Sequence, residues 1–196
     1  MEIIDRFKCI TLFNHPGKNQ QLRAYKTLIQ PIACRESTYL GIFDLDEFAY
    51  ARDGSTLRSV LESAQFKEFD QIWSPWLIFG SNGHIEQPPN IIASFTKREP
   101  ATGPVLGKSI LKTAMLMRLD IHRHFMEPNS LQCKSDGSIM SELQSRETAY
   151  EENIEKFKIV VNHYQTQSLQ FFNSKYTRGD VHNDNNLDRY QGGLEN

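Results

Sequence analysis

The stretch TYLGIFDLDEFAY, residues 38–50, contains the pattern that decides the fold. A short run of apolar and β-favouring residues, 39–43, is followed by three acids within four positions: Asp44, Asp46 and Glu47. The apolar run predicts a buried strand. The sequence therefore places three like charges, which repel one another, at the end of that strand.

The two aspartates of this stretch are candidates for a metal site. Side chains alternate between the two faces of an extended segment, so we expect Asp44 and Asp46 on one side and Leu45 and Glu47 on the other. Two carboxylates in one small volume are costly for the fold unless a cation lies between them. Their oxygens suit a hard divalent ion such as Mn²⁺ or Mg²⁺. The pattern leaves open the alternative that the acids are simply solvated at a strand end.

The composition argues against several classes of protein. The formal net charge is -2 and no basic stripe interleaves with aromatics, so a nucleic-acid partner is not expected. No apolar run approaches the roughly 18 residues of a membrane helix, and the N-terminal sequence lacks the pattern of a secretory signal. Three scattered cysteines argue against a disulfide framework or a thiolate zinc site. We therefore expect a cytoplasmic protein, free or peripheral to a membrane.

Hydrophobic periodicity and turn residues divide the chain into alternating strands and helices. The predicted strands are 7–13, 39–43, 71–80, 91–95, 108–112, 119–125 and 157–164. The predicted helices are 20–29, which ends before Pro31, a segment capped by Ser55 or Thr56, 141–155 and 165–176. Residues 127–136 are expected to be irregular. The length of 196 residues fits one domain over 1–180, followed by a polar tail over 181–196.

This alternation predicts an α/β sheet with a ligand crevice at the carboxyl ends of its strands, where the acids of 44–47 fall. Further stretches follow in order: NQQLRAYKTLI, YLGIFDLDEF, WSPWLIFGSNGHIEQP, KSILK, IHRHF and VVNHYQTQSLQFFNSKYTRGD. Together they resemble the family 2-like and family 92-like group of glycosyltransferases with the GT-A fold. The resemblance implies an α/β domain with a GT-A-like mixed central sheet flanked by helices. Because only residues 1–17 precede the glutamine-containing helix, the N-terminal nucleotide-binding strands are expected to be missing.

The resemblance implies an enzyme that moves a sugar from a nucleoside diphosphate sugar to a hydroxyl group of a glycan or glycoconjugate. Mn²⁺ or Mg²⁺ would be the cofactor and would stabilise the departing diphosphate. Asp44 would face the donor ribose or reach the ion through water, and Asp46 would ligate the ion. His163 would be a further metal ligand. Lys175 and Arg178 would pair with the donor phosphates.

Other residues are candidates for contacts with the sugars. Gly83 would let the backbone approach a sugar closely, and His84 offers a hydrogen bond to a hydroxyl group. His122 and His124 share a face of the predicted strand 119–125, and the resemblance suggests that they line the acceptor cleft.

An inverting transfer would also need a carboxylate base near the acceptor hydroxyl. Glu86 and Asp120 are candidates for this base by their position alone.

Two alternatives remain open at this stage. One is an inactive glycosyltransferase-like module that binds a carbohydrate or another protein. The other is a phosphatase of the haloacid dehalogenase type, in which Asp44 would be the nucleophile, Asp46 the general acid, and GDVHND at 179–184 the late acidic segment.

Overall fold

The computed structural model describes residues 7–178 except 8, 18, 123 and 141–146, and all elements below lie within them. The α-helices are α1 (Gln21–Ala24), α2 (Gln30–Glu36), α3 (Leu57–Leu61), α4 (Ile91–Ser94) and α5 (Leu169–Arg178). The strands are β1 (Tyr39–Gly41), β2 (Glu47–Ala51), β3 (Gln71–Ile78), β4 (Thr102–Val105), β5 (Gly107–Lys112), β6 (Leu116–Arg118), β7 (Phe125–Met126), β8 (Gln132–Lys134), β9 (Ile139–Met140), β10 (Glu147–Tyr150) and β11 (Ile159–His163). A π-helical turn covers Tyr25–Ile29, and 3₁₀ segments cover Thr113–Met115 and Glu151–Lys156.

A mixed sheet forms the centre of the fold. Its main strand order is β1–β5–β3–β11–β2, and β8, which also carries β9, pairs with β3. Strand β3 runs parallel to β11 and β8, whereas the other pairs of this sheet are antiparallel. The predicted α/β class with a mixed, helix-flanked sheet is therefore confirmed. None of the helices in the described part of the chain has the length and apolar character needed to cross a membrane.

Several predicted elements are confirmed. The strands expected at 39–43, 71–80, 108–112 and 157–164 are β1, β3, β5 and β11. The side chain of Thr56 caps α3 by accepting a hydrogen bond from the amide of Ser59. The last helix, α5, begins at Leu169, later than predicted. The predicted tail at 181–196 and the GDVHND segment at 179–184 lie outside the described residues.

Other predicted elements are wrong. The described residues of 7–13 form no strand, and 119–125 is mostly loop between β6 and β7. Residues 91–94 are the helix α4, because the side chain of Asn90 accepts from the amide of Ala93 and starts a helical turn. Strand β8 interrupts the region predicted as irregular. Of the predicted helix 141–155, residues 141–146 are not described, and β10 follows them because it pairs with β4.

The first helix does not end before Pro31, because the chain widens one turn earlier. The amide of Gln30 bonds the carbonyl of Tyr25, five residues back. In a regular α-helix the ring of a proline clashes with the carbonyl four residues earlier. The π-helical turn widens the backbone before that clash arises. Pro31 then lies in the first turn of α2, where its missing N–H costs little.

The two faces of β3 are buried in different ways. On one face Trp73 packs in an apolar core with Phe157. On the other face Ile72 lies beside Ile110 in a second apolar core. One step further along this second face, Ser74 lies beside Lys108, and both residues are buried. The second face therefore changes from apolar to polar along the strand.

Gly107, at the start of β5, lets β5 approach β3 closely. A Cβ atom at position 107 would lie 2.2 Å from the carbonyl oxygen of Ser74 and 2.6 Å from the ring of Trp73. Both contacts are far inside van der Waals distance, so a side chain here would push the strands apart. The next residue is Lys108, so this close approach also sets the position of that lysine.

The Gly107→Ala substitution should destabilise the fold by about 1–3 kcal/mol, as overpacking of a well-packed interior usually does. Urea unfolding measures the change. Gly80→Ala is the control, because a Cβ atom there would meet nothing within 4 Å. Equal stability of the two variants would contradict the close packing of β5 against β3.

The three cysteines should differ in reactivity. Burial raises the pKa of the Cys133 thiol to about 12, so it holds little of the reactive thiolate, whereas Cys9 and Cys34 are exposed. A thiol reagent such as DTNB should label two thiols rapidly in the native protein and the third only after unfolding. Three rapid reactions would show that Cys133 is accessible.

Candidate functional site

The three acids of residues 44–47 lie on a turn. The amide of Glu47 donates to the carbonyl of Asp44 at 3.0 Å, and the amide of Asp44 donates to the carboxylate of Glu47 at 3.1 Å. These two bonds fold Asp44 and Glu47 onto each other. The predicted alternation, with Asp44 and Asp46 on one side and Glu47 opposite, is therefore wrong, because a turn does not keep the two-residue period of a strand.

A buried lysine pairs with two of these acids. The Nζ atom of Lys108 lies 3.3 Å from Oδ2 of Asp44 and 3.4 Å from Oε2 of Glu47. The side chains of Lys108 and Glu47 are 0% exposed, whereas that of Asp44 is 45% exposed. We call these three residues the Lys108 cluster. Lys108 is not among the candidate residues predicted above, although its spacing from Ile110 places a lysine on the apolar face of a strand.

The pKa of Glu47 is raised to about 7, chiefly by burial and to a smaller extent by the charge of Asp44. Lys108 and the backbone amide of Asp44 act in the opposite direction but do not cancel the effect of burial. Within the described residues, Oε1 of Glu47 has no hydrogen-bond partner. Glu47 is therefore a buried carboxyl group that can gain or lose a proton near neutral pH.

Asp46 belongs to a second group of side chains, which comes from distant parts of the chain. Its Oδ1 atom lies 3.7 Å from Nε2 of His163 at the end of β11, and its Oδ2 atom accepts from Nζ of Lys175 on α5 at 3.1 Å. We call these three residues the Asp46 cluster. The amide of Tyr164 donates to the carbonyl of Asp46 at 2.9 Å and ties the turn to β11. The side chain of Arg178 lies outside the described part of the chain.

His163 is a neutral imidazole at physiological pH. Its pKa is lowered to about 4, chiefly by burial and to a smaller extent by the charge of Lys175, whereas the charge of Asp46 acts in the opposite direction. The contact of Nε2 with Asp46 is therefore one between a neutral ring and a carboxylate. The indole ring of Trp76 packs against the imidazole with the ring centroids 4.2 Å apart.

Asp46 and His163 are of the residue types that bind a divalent cation such as the expected Mn²⁺ or Mg²⁺. Atoms bound to one Mg²⁺ ion at about 2.1 Å each are about 3.0 Å apart at neighbouring positions of the octahedron and about 4.2 Å apart at opposite positions. The 3.7 Å between Oδ1 of Asp46 and Nε2 of His163 lies between these values, so both side chains would have to shift slightly to bind one ion. Among the described residues no group of three or more histidines, cysteines and acids is close enough to hold a metal ion. Asp44, expected as a third ligand, pairs with Lys108. Water and phosphate oxygens would have to complete the coordination, as is usual for Mg²⁺ in nucleotide sites.

His122 and His124 lie in the loop between β6 and β7, so they do not share a strand face as predicted. The Nδ1 atom of His124 accepts a hydrogen bond from the amide of Asp120 at 3.3 Å. The pKa of His124 is lowered to about 4, chiefly by burial and to a smaller extent by the positive charge of Lys108. The ring of His122 packs edge-on against Trp76 with centroids 5.2 Å apart. His124 therefore lies near the Lys108 cluster, and His122 packs against Trp76, the ring that the Lys108 ammonium also approaches.

The candidates Gly83, His84 and Glu86 lie in another loop. Gly83 has a φ of +78°, and Glu86 is exposed. The Nε2 atom of His84 lies 3.3 Å from the carbonyl oxygen of Ser94, the last residue of α4. The amide of Leu169 donates to the carbonyl of His84 at 3.0 Å. This bond connects the loop to the start of α5, the helix that carries Lys175.

Comparison with known proteins assigns no family to this chain. No protein-family model matches the sequence, and no curated protein matches it.

The lowered pKa of His124 should make stability depend on pH below neutrality. Between pH 4 and about 6.5 the unfolded state binds a proton that the folded state excludes. Stability from this group is therefore full above pH 6.5 and falls as the pH drops towards 4. In His124→Asn, the amide oxygen can replace Nδ1 as the acceptor for Asp120. On going from pH 7 to pH 5, the free energy of unfolding, measured in urea, should fall by roughly 1–2 kcal/mol less in this variant than in the wild type. Equal losses would contradict a neutral, buried His124.

Proposed function

We propose that this chain is a metal-dependent glycosyltransferase domain that transfers a sugar from a nucleoside diphosphate sugar to a hydroxyl group of a glycan or glycoconjugate. The convergence of Asp46, His163 and Lys175 carries the proposal. These residues come from separate stretches that contribute to the resemblance, and they meet within 3.7 Å of Asp46. A carboxylate, a neutral imidazole and an ammonium group in one place suit a cation and the phosphates that it binds.

Each residue of the Asp46 cluster has a proposed task. Asp46 and His163 would hold the divalent cation, which supplies Lewis-acid stabilisation of the charge on the departing diphosphate. Lys175, whose side chain is 26% exposed, can turn from Asp46 to a phosphate oxygen. Arg178 remains a candidate for a second phosphate contact. Asp44 is the candidate for the donor ribose, because its carboxylate remains substantially open to solvent.

The acceptor side of the proposal rests on the loop between β6 and β7. Asp120 is the better supported of the two candidate bases, because the charge of its carboxylate acts on His124, which also senses the charge of Lys108. Glu86, in the exposed loop before α4, remains the second candidate. His122 would form part of the acceptor wall together with Trp76.

Nucleotide binding tests this proposal directly. Isothermal titration with UDP and with GDP should give heat of binding in the presence of Mn²⁺ and little without it. Asp46→Asn and His163→Ala should each raise the Kd at least tenfold, because each removes one ligand of the cation. The control is Glu62→Gln, which removes a charge from an exposed pair with Arg58 and should leave the Kd unchanged.

If neither UDP nor GDP binds to the wild-type chain, the proposal is contradicted and the inactive binding module is favoured. If a nucleotide binds, a screen of nucleotide sugars for Mn²⁺-dependent hydrolysis identifies the donor. Hydrolysis of an aryl phosphate that is lost in Asp44→Asn would instead support the dehalogenase-type alternative.

A further inference from the structure

Lys108 and Glu47 form an ion pair with no exposed side-chain surface. Strands β3 and β11 lie between their strands, β5 and β2, in the order of the sheet. The two side chains therefore extend towards each other across the face of the sheet. The ammonium group lies 5.9 Å from the centre of the Trp76 ring, at a distance where cation–π attraction acts.

Such a pair is an unusual way to fill the interior of a sheet. Taking both charges out of water costs several kcal/mol per ion, and replacing a buried pair by apolar residues is often neutral or stabilising. One step along the same face, the apolar neighbours Ile72 and Ile110 fill the equivalent space. Stability alone therefore does not account for a lysine at position 108.

What Lys108 does hold is the turn at 44–47. Its ammonium contacts Asp44 at one end of the turn and Glu47 at the other. Two hydrogen bonds between Asp44 and Glu47 close the same turn. Asp46 lies between these two fixed positions, with one carboxylate oxygen towards His163 and the other towards Lys175.

We propose that Lys108 is a positioning residue of the candidate site, which holds the turn at 44–47 in the conformation that presents Asp46 to His163 and Lys175. The importance of this role for catalysis rests on the proposed function. The geometry itself can be tested without any ligand.

The decisive variant combines Lys108→Met with Glu47→Gln. It removes both buried charges at once, so neither remains in the interior without its partner. The matched control is Lys112→Met. Lys112 lies four residues further along β5, and its pairing with Asp70 at 3.3 Å is outside the candidate site. The control thus removes one lysine–carboxylate pair of the strand that carries Lys108, whereas the double variant removes the contacts of Lys108 with Asp44 and Glu47.

The double variant should fold with an unfolding free energy, measured in urea, no lower than that of Lys112→Met. In its crystal structure, Oδ1 of Asp46 should lie more than about 4.2 Å from Nε2 of His163, which is too far for both atoms to bind one Mg²⁺ ion. The Kd for UDP or GDP with Mn²⁺, whichever nucleotide binds the wild-type chain, should rise at least tenfold. Lys112→Met should keep both the geometry of the Asp46 cluster and the wild-type Kd.

Three results would overturn the positioning role. The first is a double variant that does not fold, since the pair would then serve the fold. The second is a folded double variant in which Asp46 still faces His163. The third is a displaced Asp46 with an unchanged nucleotide Kd. A displaced Asp46 in a protein whose wild-type form binds no nucleotide would support the positioning role and contradict the proposed function, so the two failures can be told apart.

Discussion

The contact of the Lys108 ammonium with Asp44 and Glu47 is the interaction on which the candidate site depends. It joins the two ends of the turn at 44–47 to strand β5 across the face of the sheet. From that turn Asp46 reaches His163 on β11 and Lys175 on α5, so one buried charge connects three parts of the molecule. Without a cation at this position, the carboxylates of Asp44 and Glu47 would repel each other, and only the two hydrogen bonds between these residues would keep the turn closed.

The charges of the two clusters do not balance completely. Three carboxylates face two ammonium groups, and His163 is neutral because burial lowers its pKa. One negative charge is therefore left over when Glu47 is ionised. Burial raises the pKa of Glu47 to about 7, so part of this excess disappears on protonation near neutral pH. A small negative excess of this kind attracts cations.

The sequence predicts the strands of the sheet better than it predicts the site. The apolar runs of β3, β5 and β11 are visible because each is buried on at least one face, and that of β1 is visible although its three residues are only half-buried. The turn at 44–47 is not visible, because its acids Asp44 and Glu47 contact a lysine that lies 61 residues beyond Glu47 in the sequence. Local side-chain bonds decide other errors: Asn90 turns a β-favouring segment into a helix, and the π-helical turn before Pro31 lets a helix continue. The resemblance led us to expect Asp46 and His163 at one metal ion and Lys175 at the donor phosphates. The direct contact of Lys175 with Asp46 and the separation of Asp44 from this group could only come from three-dimensional contacts.

Gly107 gives this arrangement a further consequence. Only a hydrogen atom fits between β5 and the Ser74 carbonyl at that position, so the backbone from which Lys108 extends is set by a residue that carries no charge and no side chain. A survey of variants confined to charged and aromatic residues would overlook it. Few substitutions should therefore be tolerated at Gly107, although this residue takes part in no chemistry. Directed evolution of the site would have to keep Gly107 and Lys108 together.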